Sequence, residues 1–261
     1  MKLSIITVNL NNADGLRKTI ASVVFQTFTD FEYIVIDGGS TDGSVDIIKQ
    51  YADKITYWVS EQDKGIYNAM NKGILKAKGE YCLFLNSGDY FFSRDSISKL
   101  IIENNEDYSI IYGNILVKEK DKDFVKSYPD VLKFSYFLYD TLPHPASLIR
   151  KSLLYPDLYN EKFEICSDWE FFILAICKYN CTYKHVNQVI SVFYNNGISS
   201  NFKKARQEQK DSLNKNFSLF IHDYNELERL NKFEYEIKHS RKIQYLKNKV
   251  LKIKNKISKI F

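Results

Sequence analysis

Residues that bend or cross-link a chain are scarce in these 261 residues: ten glycines, four prolines and four cysteines. Cys82, Cys166, Cys177 and Cys181 form no C-x-x-C pair, and the four histidines form no H-E-x-x-H. That spacing argues against a disulfide framework and a zinc site, and favours reduced cysteines used as small apolar residues. No apolar run approaches the roughly 20 residues of a membrane span, and the run from Ile5 to Val8 is too short for a secretory signal. The expected location is therefore cytoplasmic. G-x-G-x-x-G after the first strand and G-x-x-x-x-G-K-[ST] anywhere are also missing, which removes the dinucleotide fingerprint and the P-loop.

What is present is ordinary globular composition, 44% hydrophobic and 26% charged, which excludes disorder and a collagen-like chain. Nine of the ten glycines lie between Gly15 and Gly113, all four prolines between Pro129 and Pro156, and neither residue follows Gly197. The sequence thus predicts a turn-rich first half, a loop-bearing middle and a helical end. Charge divides it too: residues 229–261 hold eleven Lys+Arg against two Glu, so a +5 chain is an acidic body with a basic tail.

Leu3 to Val8 reads as a buried strand broken by Asn9-Leu10-Asn11-Asn12, and a helix follows from Asp14 through Leu16, Ile20 and Val23. Phe31 to Ile36 is a second strand, running into Asp37-Gly38-Gly39-Ser40-Thr41-Asp42-Gly43. A third, Ile55 to Val59, leads through Asp63-Lys64-Gly65 into a helix closed by Gly79, and a fourth, Glu80 to Leu85, ends at Asn86-Ser87-Gly88-Asp89. Alternating strands and helices with short connections predict an α/β fold, a Rossmann-like, mostly parallel sheet with helices on both faces. Ligands of such sheets sit outside the carboxyl ends of the strands.

Those ends carry carboxylates, which repel phosphate unless a divalent cation lies between. Mg²⁺ typically takes one or two carboxylates plus substrate phosphates, and Asp89 suits that contact best. Asp37 can accept a hydrogen bond from a base N–H or a ribose hydroxyl; closing the turn is the other reading of this residue.

Ser4-Ile5-Ile6-Thr7-Val8-Asn9, Asp37-Gly38-Gly39-Ser40-Thr41-Asp42-Gly43, Asp63 to Gly73, and Asn86-Ser87-Gly88-Asp89 together resemble the successive motifs of inverting family 2 glycosyltransferases of the GT-A fold. The resemblance covers about the first 90 residues. It implies a nucleotide-diphospho-sugar donor, UDP-linked, and a divalent metal, Mg²⁺ or Mn²⁺. Thr7, Asn9 and Asp37 would hold base and ribose, Asp63 would border the nucleotide, and Ser87 and Gly88 would lie on the donor side. The family's metal motif is commonly Asp-Ser-Asp-Asp; here only Asp89 keeps the final carboxylate, a form that a sub-group also carries.

An inverting transfer needs one carboxylate beside the acceptor hydroxyl. Ser167-Asp168-Trp169-Glu170 opens an apolar helix, with Ser167 placed as its cap and Asp168 in the first turn. In the resembled family the base is the Asp of a Glu-Asp pair at this point, which maps onto Asp168; Glu170 is the runner-up and should point elsewhere. The resemblance puts His144 on the acceptor side; a buried or surface-loop histidine is the other reading. Trp169 is either core or an acceptor-stacking ring. Asn195-Asn196-Gly197-Ile198-Ser199 resembles a loop that closes over the donor.

The expected organisation is a GT-A domain over residues 1–200, with a donor half to 113 and an acceptor half from 114, then a basic helical extension over 201–261. Ile243, Leu246, Val250, Ile253, Ile257 and Ile260 form a heptad stripe flanked by lysines. The preferred partner is an anionic membrane surface, the inner face of the plasma membrane, followed by an acidic partner; the bland alternative is packing on the body. Nucleic acid is not expected, because the stripe is aliphatic and no recognition module is visible. The acceptor implied is a glycan or lipid-linked sugar in bacterial surface polysaccharide synthesis. A sugar nucleotidyltransferase or a non-catalytic nucleotide-sugar-binding module are the alternative functions.

Overall fold

A computed structural model describes residues 3–102, 107–120, 122–194 and 201–240. The first half follows the expected alternation: β1 (Leu3–Asn9), α1 (Ala13–Val24), β2 (Phe31–Asp37), α2 (Ser44–Gln50), β3 (Tyr57–Ser60), α3 (Ile66–Lys76) and β4 (Tyr81–Phe84). β1 is apolar on both faces and wholly buried, as a central strand covered on both sides must be. Its parallel pairing with β2 sets Asn9 opposite Asp37, and β2 with β3 sets Asp37 opposite Ser60. Three polar side chains thereby finish in one row at the carboxyl edge of the sheet.

The second half supplies β5 (Tyr90–Phe91), α4 (Ser96–Ile102), β6 (Ile110–Lys118), β7 (Asp123–Lys126), α5 (Phe134–Phe137), β8 (Ser147–Arg150), α6 (Ser167–Ile173) and β9 (Tyr183–Tyr194). The order across the sheet is β3-β2-β1-β4-β8-β6-β9-β5, with β7 paired to β6. β8 runs antiparallel to both β4 and β6, so the α/β expectation holds while the sheet is mixed rather than mostly parallel. The reversal has a cause in sequence: the proline-bearing middle turns the chain back before Ser147 and provides no crossover helix.

α3 packs on β1 and β2, and Gly73 permits the approach: a Cβ there would meet Ile6 Cγ2 at 2.5 Å. The helical end is α7 (Phe202–Asn216) and α8 (Ser218–His239). Residues up to Gln209 form one compact unit and those from Lys210 another, so the first turns of α7 belong with the first unit. The physical tie is Glu208, whose buried carboxylate accepts the backbone N–H groups of Glu164 (2.9 Å), Ile165 (3.0 Å) and Cys166 (2.9 Å). The heptad stripe from Ile243 and the loop Asn195 to Ser199 lie outside the described residues. Among the described residues no helix is long and apolar enough to cross a membrane. All four cysteines are unpaired; Cys82 and Cys166 are buried, Cys177 and Cys181 half-buried.

Candidate active site

The carboxyl ends of β1 and β4, the start of α3 and the start of α6 border one cleft of about 990 Å³. Asn9, Asp63, Ser87, Gly88, Asp89, His144 and Asp168 all line it. Thus side chains separated by up to 159 positions in the chain converge, and most of the expected site residues share a single cavity.

The Asn86 to Asp89 turn is fastened from below by α1. Asn12 caps α1 through Gly15 N (3.2 Å), while its Nδ2 donates to Ser87 O (3.0 Å). The buried Thr19 hydroxyl lies 2.6 Å from Asp89 O and accepts from Gly88 N at 3.0 Å. Gly88 has φ +107°, so glycine at this position is a backbone requirement. Asn12 and Thr19 were not singled out from sequence; the only signal available was an Asn immediately ahead of a helix.

Asn86 Oδ1 is buried without a hydrogen-bond partner. An orphaned oxygen costs roughly 1–3 kcal/mol unless a ligand satisfies it. Burial pushes the Asp89 carboxyl up to about 8, against a pull downward from the Tyr194 backbone N–H. A neutral oxygen plus a carboxylate that is poorly solvated fits a hard divalent cation sharing its other positions with phosphate and water. No cluster of three or more His, Cys, Asp or Glu suited to a metal occurs among the described residues.

Thr7 and Asp37, expected to hold base and ribose, do not line the cleft. Thr7 donates to Leu85 O (2.8 Å) and pairs with Tyr33 Oη (2.9 Å) inside the core. Asp37 is fully buried and takes four bonds: Asn9 Nδ2 (2.7 Å), Ser40 Oγ (2.6 Å), Ser40 N (2.9 Å) and Ser60 Oγ (2.6 Å). Burial pushes its pKa up, but the donors outweigh it and hold the carboxyl below its ordinary value. With every lone-pair direction engaged, Asp37 shapes the Asp37 to Gly43 loop from beneath, which is the turn-closing reading. Asp63 is better placed: it is half-exposed, lines the cleft, and its Oδ2 lies over Gly38, 2.5 Å from where a Cβ would stand.

Asp168 is half-buried at the first turn of α6 and faces the cleft. Glu170 turns away as expected; it is buried and accepts from Asn160 Nδ2 at 3.0 Å. Ser167 is not the cap. Its hydroxyl accepts from Asn160 N (2.6 Å), Cys166 precedes the helix, and the Glu208 carboxylate satisfies the N–H groups leading into it. Trp169 is core: it is 3% exposed, lies away from the cleft, and its indole N–H donates to Phe137 O at 2.6 Å. His144 is buried against Phe84, ring centroids 4.6 Å apart, with Nε2 2.8 Å from Tyr159 Oη. Burial lowers its pKa, the Asp168 charge opposes that, and the ring is neutral near pH 7.

One face of α3 holds the segment ahead of Asp168. Tyr159 N donates to Asn71 Oδ1 and Asn71 Nδ2 to Tyr159 O, both at 2.9 Å, while Asn68 and Asn71 each donate to Glu161. Tyr67 Oη lies 2.6 Å from Ile165 O and 2.7 Å from Asp168 Oδ1. Asn71 is i+4 from Tyr67 and i+3 from Asn68, so it neighbours both on the helix surface, and the three could have been read as a partner-facing patch.

An acidic turn and a carboxylate face one cleft of a mixed α/β sheet, and comparison with known proteins gives the class. The family model described as Glycosyl transferase family 2 matches residues 4–161, and the chain belongs to that family. It is 32% identical over 204 residues to an uncharacterised glycosyltransferase of Mycobacterium tuberculosis, covering 76% of this chain and 77% of that protein. Among solved structures, Staphylococcus aureus TarS residues 1–349 with UDP-GlcNAc superpose with TM-score 0.63 at 18% identity, over 76% of this chain and 59% of that one. A mannosyltransferase of Pyrobaculum calidifontis, in complex with GDP-Man and Mn²⁺, gives TM-score 0.61 at 15% identity over 85% and 64%. The chain spans about three fifths of the TarS fragment. The protein is a glycosyltransferase with a GT-A-like α/β fold.

Proposed function

We propose that the protein transfers one sugar, with inversion, from a nucleotide-diphosphate donor to an acceptor hydroxyl, using Asp168 as general base. The observation that carries the reading is the single cleft in which Asp168 faces the Asn86 to Asp89 turn. Asn9, Asp63, Ser87 and Gly88 form the donor side, and Asp89 with Asn86 Oδ1 would hold Mg²⁺ or Mn²⁺, which neutralises diphosphate charge when bound. The Mn²⁺ and GDP-Man of the Pyrobaculum neighbour and the UDP-GlcNAc of TarS support metal and nucleotide-sugar use; we take UDP as the nucleotide.

Asp168 accepts the acceptor proton as the new glycosidic bond forms and the anomeric carbon releases the nucleoside diphosphate. The neutral His144 borders this half of the cleft and can hydrogen-bond an acceptor hydroxyl. Beyond it Ile115, Val117, Phe124 and Phe193 form an apolar wall, which suits an acceptor with an apolar body such as a lipid-linked sugar of bacterial polysaccharide synthesis. The basic segment 229–261 would bring the enzyme to an anionic membrane surface bearing it.

Transfer and donor hydrolysis with Mn²⁺ test the reading. Asp168→Asn should lower kcat by about 10²–10⁴-fold while UDP still binds. Asp89→Ala should abolish the stimulation by metal. Full turnover in Asp168→Asn would remove the base assignment, and retained anomeric configuration in the product would remove inversion.

A further inference from the structure

Tyr67 presents one phenolic proton to two acceptors at almost equal distance, Ile165 O at 2.6 Å and Asp168 Oδ1 at 2.7 Å. The ring itself is buried on α3 and lies tilted against Tyr159 with centroids 5.7 Å apart. The hydroxyl is free only to rotate about its C–O bond, so the two acceptors compete for the same hydrogen. A hydrogen bond to an ionised group contributes roughly 1.5–3 kcal/mol net, against roughly 0.5–1.5 for one to a neutral carbonyl. The charge on Asp168 therefore decides the competition.

We propose that Tyr67 is the positioning residue of the catalytic base, donating to Asp168 while that carboxylate is ionised and turning to Ile165 O when it becomes neutral. The proposal rests on the reading of Asp168 as base. In the resting enzyme the phenol fixes Oδ1 and leaves the other carboxylate oxygen for the acceptor. In the reaction the acceptor O–H bond breaks and its proton passes to Asp168. The acceptor oxygen bonds to the anomeric carbon, and the C–O bond to the diphosphate breaks with its electron pair leaving on the nucleotide. The neutral carboxyl then holds Tyr67 weakly, and the backbone carbonyl takes the phenolic hydrogen.

The other groups around Asp168 are consistent with this role for Tyr67. His144 is neutral, hydrogen-bonds Tyr159, and both feel the Asp168 charge, as does the Cys166 thiol. Glu164 is paired with Lys204, and Glu208 is engaged by three backbone N–H groups. Asp63, across the cleft, adds negative charge on the donor side. Among the described residues, Tyr67 is the side-chain donor hydrogen-bonded to the Asp168 carboxylate.

The test is the pH profile of kcat/KM for Tyr67→Phe beside wild type. The acid limb should rise by about one pH unit, since one unit corresponds to about 1.4 kcal/mol of lost preference for the ionised form. The donor KM should stay unchanged. A second protein with 2,3-difluorotyrosine at 67, a stronger donor of the same shape, should move that limb down and guards against a folding defect in the Phe variant. Adding Tyr67→Phe to Asp168→Asn should cost nothing further. An unmoved acid limb in both proteins, or additive losses in the double variant, would overturn the proposal. Failure of the base reading is distinct, because then Asp168→Asn alone would keep its turnover.

Discussion

Four donors converge on the Asp37 carboxylate, and they make its negative charge part of the fold. Its folded pKa is lowered while the unfolded value is about 3.9, so the stabilisation is complete above the unfolded value and is lost as pH falls through the folded one. The midpoint of urea unfolding should therefore drop below about pH 4 in wild type, and this component should be missing in Asp37→Asn, which starts about 1–3 kcal/mol less stable at neutral pH. Parallel acid limbs in the two proteins would contradict the assignment. A strand-end Asp was legible in the sequence; that its lone pairs are already engaged was not, because Ser60 comes beside it only through the register of β2 with β3. Trp169 fails to reveal itself for a similar reason: its hydrogen-bond partner, Phe137 O, lies in another helix.

At the scale of elements, the strand and helix succession of the first half was readable from periodicity and from the polar loops that interrupt it. The antiparallel entry of β8 was not, since short apolar runs such as Ser147 to Arg150 carry no direction. α3 is the element on which most depends, because it lies against β1 at Gly73 and holds the segment from Tyr159 to Asp168 through Tyr67, Asn68 and Asn71. Helix propensity alone favours Gly73→Ala by about 1 kcal/mol. The methyl would stand 2.5 Å from Ile6 Cγ2 in the buried core, and overpacking costs about 1–3 kcal/mol. Net destabilisation is expected in urea denaturation, with kcat lowered more than the donor KM is raised; a variant more stable than wild type would show that Ile6 yields.

For the whole molecule, the charge arithmetic separates two tasks. The body carries the acidic turn and the carboxylate proposed as base, while residues 229–261 concentrate eleven positive charges in a segment without proline or glycine. Truncation after Glu228 should abolish sedimentation with anionic liposomes while leaving donor hydrolysis in solution within about twofold, and salt should weaken the wild-type interaction. Undiminished liposome binding by the truncated protein would rule out the tail as the anchor.

The Glu208 tie bears on how such enzymes can be recombined. The segment that defines the family ends at residue 161, before the carboxylate proposed to do the chemistry. The loop from Glu164 to Cys166 takes its anchor from a helix that begins at Phe202. A chimera joined at the family boundary would therefore inherit the proposed nucleotide side from one parent and divide the proposed base from its anchor unless everything through Glu208 came from the other. Asp168 and its anchor should accordingly be inherited as a block from residue 162 to the first two turns of α7.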